Sequence, residues 1–294
     1  VVDNPARITP CGMNQAIRAS RGRWIAIMGA HNRYAPDYLA RCAEAALATG
    51  ADNVGGAMFC EGQSLLERAV AAAHHSAFAS GGAKWHNPDY EGRCDTVFGG
   101  FYKREVFAHI GLFDEALVRN QDDEFNLRLS RAGGMIWHCP KARSWYHPRK
   151  SLSALLQRCQ GDGYWKVRVI QKHKLPASWR HLVPGAFVLA QASLCCLGLL
   201  CTLAAGPGSW LHQIGRAACW TFSAISAAYL AAALGASAIT ARKHGWALFP
   251  VLPAVFACYH LGYGYGFLRG LWAFIGRRSF PGTKRSKLPR PASL

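Results

Sequence analysis

The stretch GGFYKREVFAHIGLFDEALVRNQDDEFNLRL, residues 99–129, joins two predicted helices through a turn rich in acidic side chains. The pattern predicts helices over 105–111 and 124–132, the second of which ends at a Gly-Gly pair. Carboxylates that crowd together repel one another, so one of them can keep a raised pKa that suits proton abstraction. The alternative is structural, because the helix dipole also favours acidic residues at a helix start. Five carboxylates fall within eleven residues here: Asp114, Glu115, Asp122, Asp123 and Glu124.

The rest of residues 1–150 alternates short apolar runs with helical patterns, which is typical of an α/β domain with a largely parallel sheet. Helices are predicted over 14–20 and 38–49, and strands over 24–28 and 53–58. A last strand over 135–139 is predicted to stop at Pro140, because proline cannot donate a ladder hydrogen bond. The eleven cysteines form no CxxC pair, which indicates small apolar side chains in a reducing compartment.

The charge pattern changes after Asp162, the last acidic residue of the chain. The 294 residues include 34 Lys and Arg against 16 Asp and Glu, and only basic charges, between long uncharged stretches, follow residue 162. A span needs about 20 mainly apolar residues. Three spans are therefore predicted at 183–205, 217–240 and 246–268, within a membrane region over 183–275. This pattern is not that of a soluble nucleic-acid binder, and no nucleic acid is expected as a partner.

Two further segments flank the predicted spans. Residues 151–182 mix leucine, aromatic and basic side chains, which fits either an interfacial helix on an anionic leaflet or an ordinary helix packed on the domain. Residues 276–294 are basic and contain proline and glycine, so a disordered tail is predicted. The basic residues favour the cytoplasm for residues 1–182, but three full crossings would then place the basic tail outside. A bent or re-entrant third segment would remove that conflict.

The order of the motifs resembles the family-2 glycosyltransferases of the GT-A fold, and within them the membrane-bound branch that includes the glucosyltransferases of succinoglycan biosynthesis. The resemblance rests on IAIMGAHNRYAPDYL (25–39), the NVGGAM strand, GGFYKREVFAHIGLFDE and QDDEFNLRL, and it covers about residues 1–150. It implies a partial GT-A (Rossmann-like) domain followed by C-terminal transmembrane helices. The strands that contact the nucleotide base and ribose in that family have no counterpart here, so an N-terminal part is expected to be missing.

The resemblance also implies roles for individual residues. In the family an acidic helix start supplies the general base, and Asp122 matches that base by position, with Glu124 as a second catalytic acid. Trp165 stands where related synthases carry an acceptor motif, although an interfacial anchor is the alternative. Contacts to the donor or acceptor are implied for Gly99, Gly100, Gln121, Asp123, Arg128 and Trp165.

The loop after the first predicted strand is where the family holds a divalent cation against the diphosphate of the donor. The family's motif there is Asp-x-Asp, or Asp-x-His in this branch, and Gly29 and His31 stand at its two positions. Mg²⁺ and Mn²⁺ are hard cations that are held by carboxylate and phosphate oxygens. The resemblance therefore implies a site for Mg²⁺ or Mn²⁺ at His31 that is weakened or lost.

As a whole, the resemblance implies an inverting enzyme that moves a hexose from a nucleotide sugar, first of all a UDP-sugar, to a lipid-linked or polysaccharide acceptor. The implied location is a bacterial inner membrane, where the protein is multi-pass, contacts membrane lipids and keeps its catalytic domain in the cytoplasm. The alternative is a catalytically degenerate relative that acts as a scaffold in polysaccharide assembly. Gly29 and the missing strands motivate this alternative.

Overall fold

The computed structural model describes residues 1–275, and its N-terminal part is a sheet of short strands surrounded by helices. The strands are β1 (Trp24–Ala26), β2 (Asn32–Tyr34), β3 (Asn53–Cys60), β4 (Gly92–Arg93), β5 (Phe101–Lys103) and β6 (Ile136–Tyr146). The helices of this part are α1 (Thr9–Ala19), α2 (Tyr38–Thr49), α3 (Leu65–His74), α4 (Ala77–Ser80), α5 (Arg104–Ile110) and α6 (Gln121–Arg131). They are followed by α7 (Leu152–His173), α8 (Val183–Ala204), α9 (Trp210–His244), α10 (Leu252–Ala257) and α11 (Tyr263–Phe274).

The sheet is mixed, with the strand order β1-β5-β3-β6-β2 and with β4 paired to β6. Within residues 1–275 only β3 and β6 pair in parallel, and the other four pairs are antiparallel. The prediction of strands and helices in one α/β domain is confirmed, but the prediction of a largely parallel sheet is wrong. An alternation of apolar runs and helices does not determine strand direction when several strands are only two or three residues long.

Strand β6 continues through Pro140, where the sequence predicted its end. The register between β3 and β6 shifts at this point, because Gly56 lies opposite Cys139 whereas Ala57 lies opposite Arg143. The extra residues form a bulge, and proline is tolerated in a bulge because it breaks no regular ladder bond there. A Cβ atom on Gly56 would lie 2.1 Å from the carbonyl oxygen of Ala142. The bulge therefore requires glycine on the neighbouring strand.

An aromatic cluster fixes α6 against the sheet. Phe125 of α6 is fully buried, and its ring centre lies 5.3 Å from that of Tyr102 on β5 and 4.5 Å from that of Phe113 in the preceding turn. Burial of such side chains stabilises a fold by about 1.5–3 kcal/mol each. These contacts fix the position of the start of α6 relative to β5 and the preceding turn.

Two helices are long and apolar enough to cross a membrane, judged by length and composition: Trp179–Ala204, which includes α8, and Trp210–His244, which is α9. The third predicted span, 246–268, is not among them, and it stays a prediction. It comprises a short 3-10 helix (Trp246–Leu248), α10, a π-helical turn (Cys258–Gly262) and the first half of α11. Residues 249–251 form a turn, so the segment is not one continuous helix.

Helix α11 instead packs along α7. A Cβ atom on Gly266 would lie 2.0 Å from the carbonyl oxygen of Gln160, and one on Gly163 would lie 2.1 Å from the carbonyl oxygen of Tyr263. The two backbones touch at these glycines, as small residues permit. Segment 151–182 thus contains a helix, α7, that packs on other parts of the chain and buries Leu155 and Val167. The predicted tail, 276–294, lies outside the described residues.

Candidate active site

The N-terminus of α6 is tied to α7 by the residues that precede it. Asn120 adopts the left-handed conformation, with φ of 59°, and its side-chain amide donates to the carbonyl oxygen of Asp162 at 2.8 Å. Arg119 forms an ion pair with the Asp162 carboxylate at 2.8 Å. Asparagine tolerates this backbone conformation better than most residues do. The turn therefore aims the first residues of α6, which begin at the half-buried Gln121, at the middle of α7.

Asp122 and Asp123 are half-buried neighbours with different partners. One oxygen of Asp123 lies 2.5 Å from Nζ of Lys166 on α7, whereas Asp122 accepts the backbone N–H of Asp123 at 2.9 Å. Burial, followed by the charge of Asp123, raises the pKa of Asp122 from its ordinary 3.8 to about 6. Burial opposes the charged form of Asp123 as well, but Lys166 outweighs it and lowers the pKa of that carboxyl. Asp122 is thus the better proton acceptor near neutral pH.

Glu124 has a different environment, which disagrees with a catalytic role. Its side chain has no exposed surface, and Arg128, Lys172 and His173 contact its carboxylate at 2.9 Å. Burial alone would raise the pKa of Glu124, but the hydrogen bond from His173 and the charge of Arg128 lower it to about 2. A carboxylate that is fully enclosed by cations cannot exchange protons with a substrate. The geometry makes Glu124 a structural anchor between α6 and α7.

Arg128 is likewise occupied within the domain. Besides its bond to Glu124, it donates to the carbonyl oxygens of Ile110 at 2.6 Å and Leu112 at 2.7 Å. Its guanidinium also lies 4.9 Å from the ring centre of Phe125. These bonds hold Arg128 at the end of α5, and the donor or acceptor contact expected for it stays a prediction.

A buried amide network supports the site, and sequence reasoning missed it. Asn126 is fully buried; its amide oxygen accepts from Asn53 at 3.0 Å and from the Tyr102 hydroxyl at 3.2 Å, and its amide nitrogen donates to Thr96 at 2.9 Å. Buried polar groups persist only where they are hydrogen-bonded. The network connects α6 with β3, β5 and the loop before Gly99. The one signal of this network in the sequence was Asn126 itself, a polar residue at a position where the pattern of α6 is apolar.

A cavity of about 100 Å³ lies beside Asp123. One part of its lining comes from the loop after β4, and another comes from residues 177–181, which overlap the start of the first candidate span. Arg180 of that segment pairs with Asp95 of the loop at 2.5 Å, and the ring nitrogen Nδ1 of His181 is buried without a hydrogen-bond partner in the described part of the chain. The lining residues are Asp95, Thr96, Asp123, Leu127, Ser130, Ala177, Arg180 and His181.

Gly99 and Gly100 lie where the loop enters β5. Gly99 has φ of +70° and Gly100 has φ of +135°, which other residues rarely adopt. A Cβ atom on Gly99 would lie 2.9 Å from the carbonyl oxygen of Ile27, and Ile27 donates its N–H to the carbonyl oxygen of Gly100 at 2.8 Å. The two glycines thus hold the loop against the end of β1, next to the residues expected to bind a metal.

The loop at Gly29 and His31, where a metal site was expected, does not bring several protein ligands together. The His31 side chain is exposed, and Gly29 donates its N–H to the Tyr34 hydroxyl at 2.8 Å while its carbonyl oxygen accepts the N–H of Asn32 at 3.2 Å. Within residues 1–275 no group of three His, Cys, Asp or Glu side chains could hold a metal ion. Magnesium sites can use only one or two protein carboxylates and take their other ligands from phosphates, but this loop offers no carboxylate. The residues present do not fit the implied cation.

Trp165 lies next to Lys166 on α7 but packs away from the acids. Its ring centre is 6.0 Å from that of Phe274 on α11 and 5.6 Å from that of Tyr164. The structure thus brings together Asp122, Asp123 and Gln121, with Gly99 and Gly100 on a connected loop, and it leaves Trp165 and His31 apart from this group.

Comparison with known proteins gives a match over the part of the chain that precedes α6. Residues 11–111, from α1 to the end of α5, match the family described as "Glycosyl transferase family 2". This part of the chain is similar to that family, and α6 lies ten residues beyond the end of the match.

Two relatives extend the match. The chain is 32% identical over 187 residues to the succinoglycan biosynthesis protein ExoA of Rhizobium meliloti (strain 1021), covering 63% of this chain and 57% of the relative. It is 23% identical over 205 residues to a dolichyl N-acetyl-alpha-D-glucosaminyl phosphate 3-beta-D-2,3-diacetamido-2,3-dideoxy-beta-D-glucuronosyltransferase of Methanococcus voltae, covering 68% and 63%. The chain spans about three fifths of the length of these curated relatives.

Proposed function

We propose that this chain carries the acceptor-activating part of a membrane-anchored, inverting glycosyltransferase with a GT-A domain. The enzyme moves a hexose from a nucleotide sugar, probed first with UDP-hexoses, to a lipid-linked or polysaccharide acceptor. The observation that carries the proposal is the pair of carboxylates at the start of α6, where Lys166 pairs with Asp123 and leaves Asp122, whose pKa burial raises to about 6, as the proton acceptor. The family match supports the reaction class, and the names of the two relatives support saccharide chemistry.

In the proposed reaction, Asp122 is the general base. It takes the proton of the acceptor hydroxyl while the hydroxyl oxygen forms a bond to the anomeric carbon of the hexose. The bond between that carbon and the phosphate oxygen breaks in the same step, and the nucleoside diphosphate leaves with the electron pair. Attack opposite to the leaving group inverts the anomeric centre. A base with a pKa near 6 is ionised at neutral pH and still accepts a proton readily.

The acceptor is proposed to approach the base from the side of the cavity beside Asp123, the residue that follows Asp122. One wall of the cavity, residues 177–181, overlaps the start of the candidate span Trp179–Ala204. An acceptor on a lipid carrier would reach this wall from the membrane surface without leaving the bilayer. The relative of M. voltae is named for a dolichyl-phosphate-linked saccharide, which supports the lipid-linked class.

Membrane anchoring is proposed through α8 and α9. Both helices expose most of their large apolar side chains, including Leu199, Leu203 and Trp220, whereas the core helix of a water-soluble protein would bury them. The last turn of α9 carries Arg242 and Lys243, and basic residues favour the cytoplasmic side. A bacterial inner membrane with the Asp122 site in the cytoplasm is the proposed location.

The test is sugar transfer by the protein purified from its own membranes. Asp122→Asn keeps the shape of the side chain and removes the base, so transfer from a radiolabelled nucleotide sugar should fall by about 10²–10⁴-fold. Asp89→Asn, the same change on an exposed turn, is the matched control and should keep transfer unchanged. Equal transfer by Asp122→Asn and the control would refute the proposal.

A non-catalytic scaffold in polysaccharide assembly is the second candidate, because the loop at Gly29 and His31 lacks the acid that the family places there. The scaffold function predicts that no nucleotide sugar is consumed under any condition, while other assembly proteins still depend on the chain. Transfer that disappears in Asp122→Asn would exclude it.

A further inference from the structure

Lys166 occupies an unusual position for a lysine. It lies in the middle of α7, its side chain is 5% exposed, and its ammonium group contacts one oxygen of Asp123 at 2.5 Å. A buried ammonium group is tolerated only when it is paired, because burial disfavours the charged form. The positive charge of Lys166 is therefore neutralised by the carboxylate of Asp123.

The negative charge of Asp123 in turn raises the pKa of its neighbour Asp122. The two carboxylates are adjacent in the first turn of α6, and Asp122 accepts the backbone N–H of Asp123 at 2.9 Å. Two neighbouring carboxylates cannot both ionise freely unless a positive charge compensates one of them. Lys166 neutralises the charge of Asp123, so Asp122 carries the remaining negative charge of the pair.

The remaining groups around this pair come from four other parts of the chain. Thr96 lies on the loop after β4, Arg180 and His181 precede α8, and Tyr102 of β5 faces Asp122. Arg180 is already paired with Asp95 at 2.5 Å. The phenol of Tyr263 on α11 interacts with Asp123, and its hydroxyl has no hydrogen-bond partner in the described part of the chain. Lys166 is thus the cation in direct contact with the pair.

We infer that Lys166 is a positioning residue that sets the protonation state of the Asp122–Asp123 pair, although it touches neither the donor nor the acceptor. Helix α11 holds it in place through the close backbone contacts at Gly163 and Gly266. The inference rests on the proposed function, because it assigns to Asp122 the proton that the reaction transfers.

The test is the pH dependence of transfer. Removal of the ammonium group in Lys166→Gln leaves two uncompensated carboxylates, which bind a proton more tightly, so the acid limb of the profile should move up by about one pH unit. Asp123→Asn removes the repulsion and leaves Lys166 next to Asp122, so the limb should move down. Lys166→Arg keeps the charge and should restore the wild-type limb.

A matched control separates this effect from a loss of packing. Lys172 lies on the same helix, 18% exposed, and pairs with Asp114 and Glu124 instead of Asp122 or Asp123. Lys172→Gln should therefore leave the acid limb where it is, whatever it does to protein yield. If neither Lys166→Gln nor Asp123→Asn moves the limb, Lys166 is structural and the inference is overturned. If Asp122→Asn keeps full transfer, the proposed function fails first, so the two failures are distinguishable.

Discussion

The two faces of the first turn of α6 carry the same kind of residue in opposite environments. On the outer face, Lys166 pairs with Asp123 and not with Asp122, and burial raises the pKa of Asp122 to about 6. On the inner face, Glu124 is enclosed by Arg128, Lys172 and His173, and its pKa falls to about 2. The number of cations that the rest of the chain brings to each carboxylate therefore decides whether it exchanges protons or serves as an anchor.

Loss of the inner carboxylate should have the largest effect on stability. Glu124→Gln leaves Arg128 without its carboxylate and Lys172 with Asp114 alone, and breaking such a buried ion pair destabilises a protein by about 3–5 kcal/mol. Thermal unfolding should show this loss, whereas Glu44→Gln, an exposed glutamate paired with Arg41, should change stability by less than about 1 kcal/mol. Similar unfolding temperatures for the two variants would mean that Glu124 is not the anchor.

The same anchor predicts how the wild-type protein responds to acid. The folded pKa of Glu124 is lowered from its ordinary 4.5 to about 2. Its contribution is present above pH 4.5 and is lost as the pH falls from 4.5 towards 2. When the free energy of unfolding is measured against pH, Glu124→Gln should lack the loss of stability that the wild-type protein shows between pH 4.5 and 2.

For Asp122, the outer carboxylate, the effect of the charged form on stability should have the opposite sign. The folded pKa of Asp122 is raised from 3.8 to about 6, so its charge costs stability above pH 6, and that cost disappears as the pH falls towards 3.8. Asp122→Asn should therefore raise the free energy of unfolding at pH 7 by about 1–3 kcal/mol while transfer is lost. The gain should vanish near pH 4. A destabilised Asp122→Asn at neutral pH would contradict the contrast between the two faces.

Both faces depend on the position of α7, which the glycines of α11 fix. In Gly266→Ala the new methyl group would lie 2.0 Å from the carbonyl oxygen of Gln160, so α7 must shift, at a net cost of about 1–2 kcal/mol. Gly235→Ala is the control, because a Cβ atom there meets nothing within 4 Å. It should stabilise α9 by up to about 1 kcal/mol. Equal effects of the two substitutions on unfolding would indicate that α7 and α11 are not in backbone contact.

Much of α6 and its turn could be predicted from the sequence, because the signals are local. The spacing of Phe125 and Leu129, the following Gly-Gly pair and the acidic first turn lie within fifteen residues. The roles of the acids could not be predicted, since Lys166, Lys172 and His173 reach them from α7, more than forty residues away in the chain. Local patterns place charges on an element, and tertiary contacts decide which of them are neutralised.

The strand at Pro140 and the segment 246–268 show the same limit of local signals. Pro140 is a local signal for the end of a strand, but β3 supplies Gly56 opposite a bulge that accommodates it. The apolar run at 246–268 is a local signal for a span, and it does not reveal that Gly266 contacts the backbone of α7. In both cases a glycine allows two backbones to approach, and such an approach is visible only once the partner is known.

The smallest expected effect concerns the loop at the other end of the proposed site. His31 is exposed and makes no hydrogen bond or ion pair within residues 1–275, and Gly29 offers no side-chain oxygen. We therefore expect His31→Ala to change the Mn²⁺ or Mg²⁺ concentration that gives half-maximal transfer by less than about twofold, whereas loss of a true metal partner costs about 10–100-fold. A tenfold shift would show that substrate phosphates and His31 together hold the cation. In that case the loop, like the outer face of α6, would acquire its chemical role from a partner that its local sequence does not reveal.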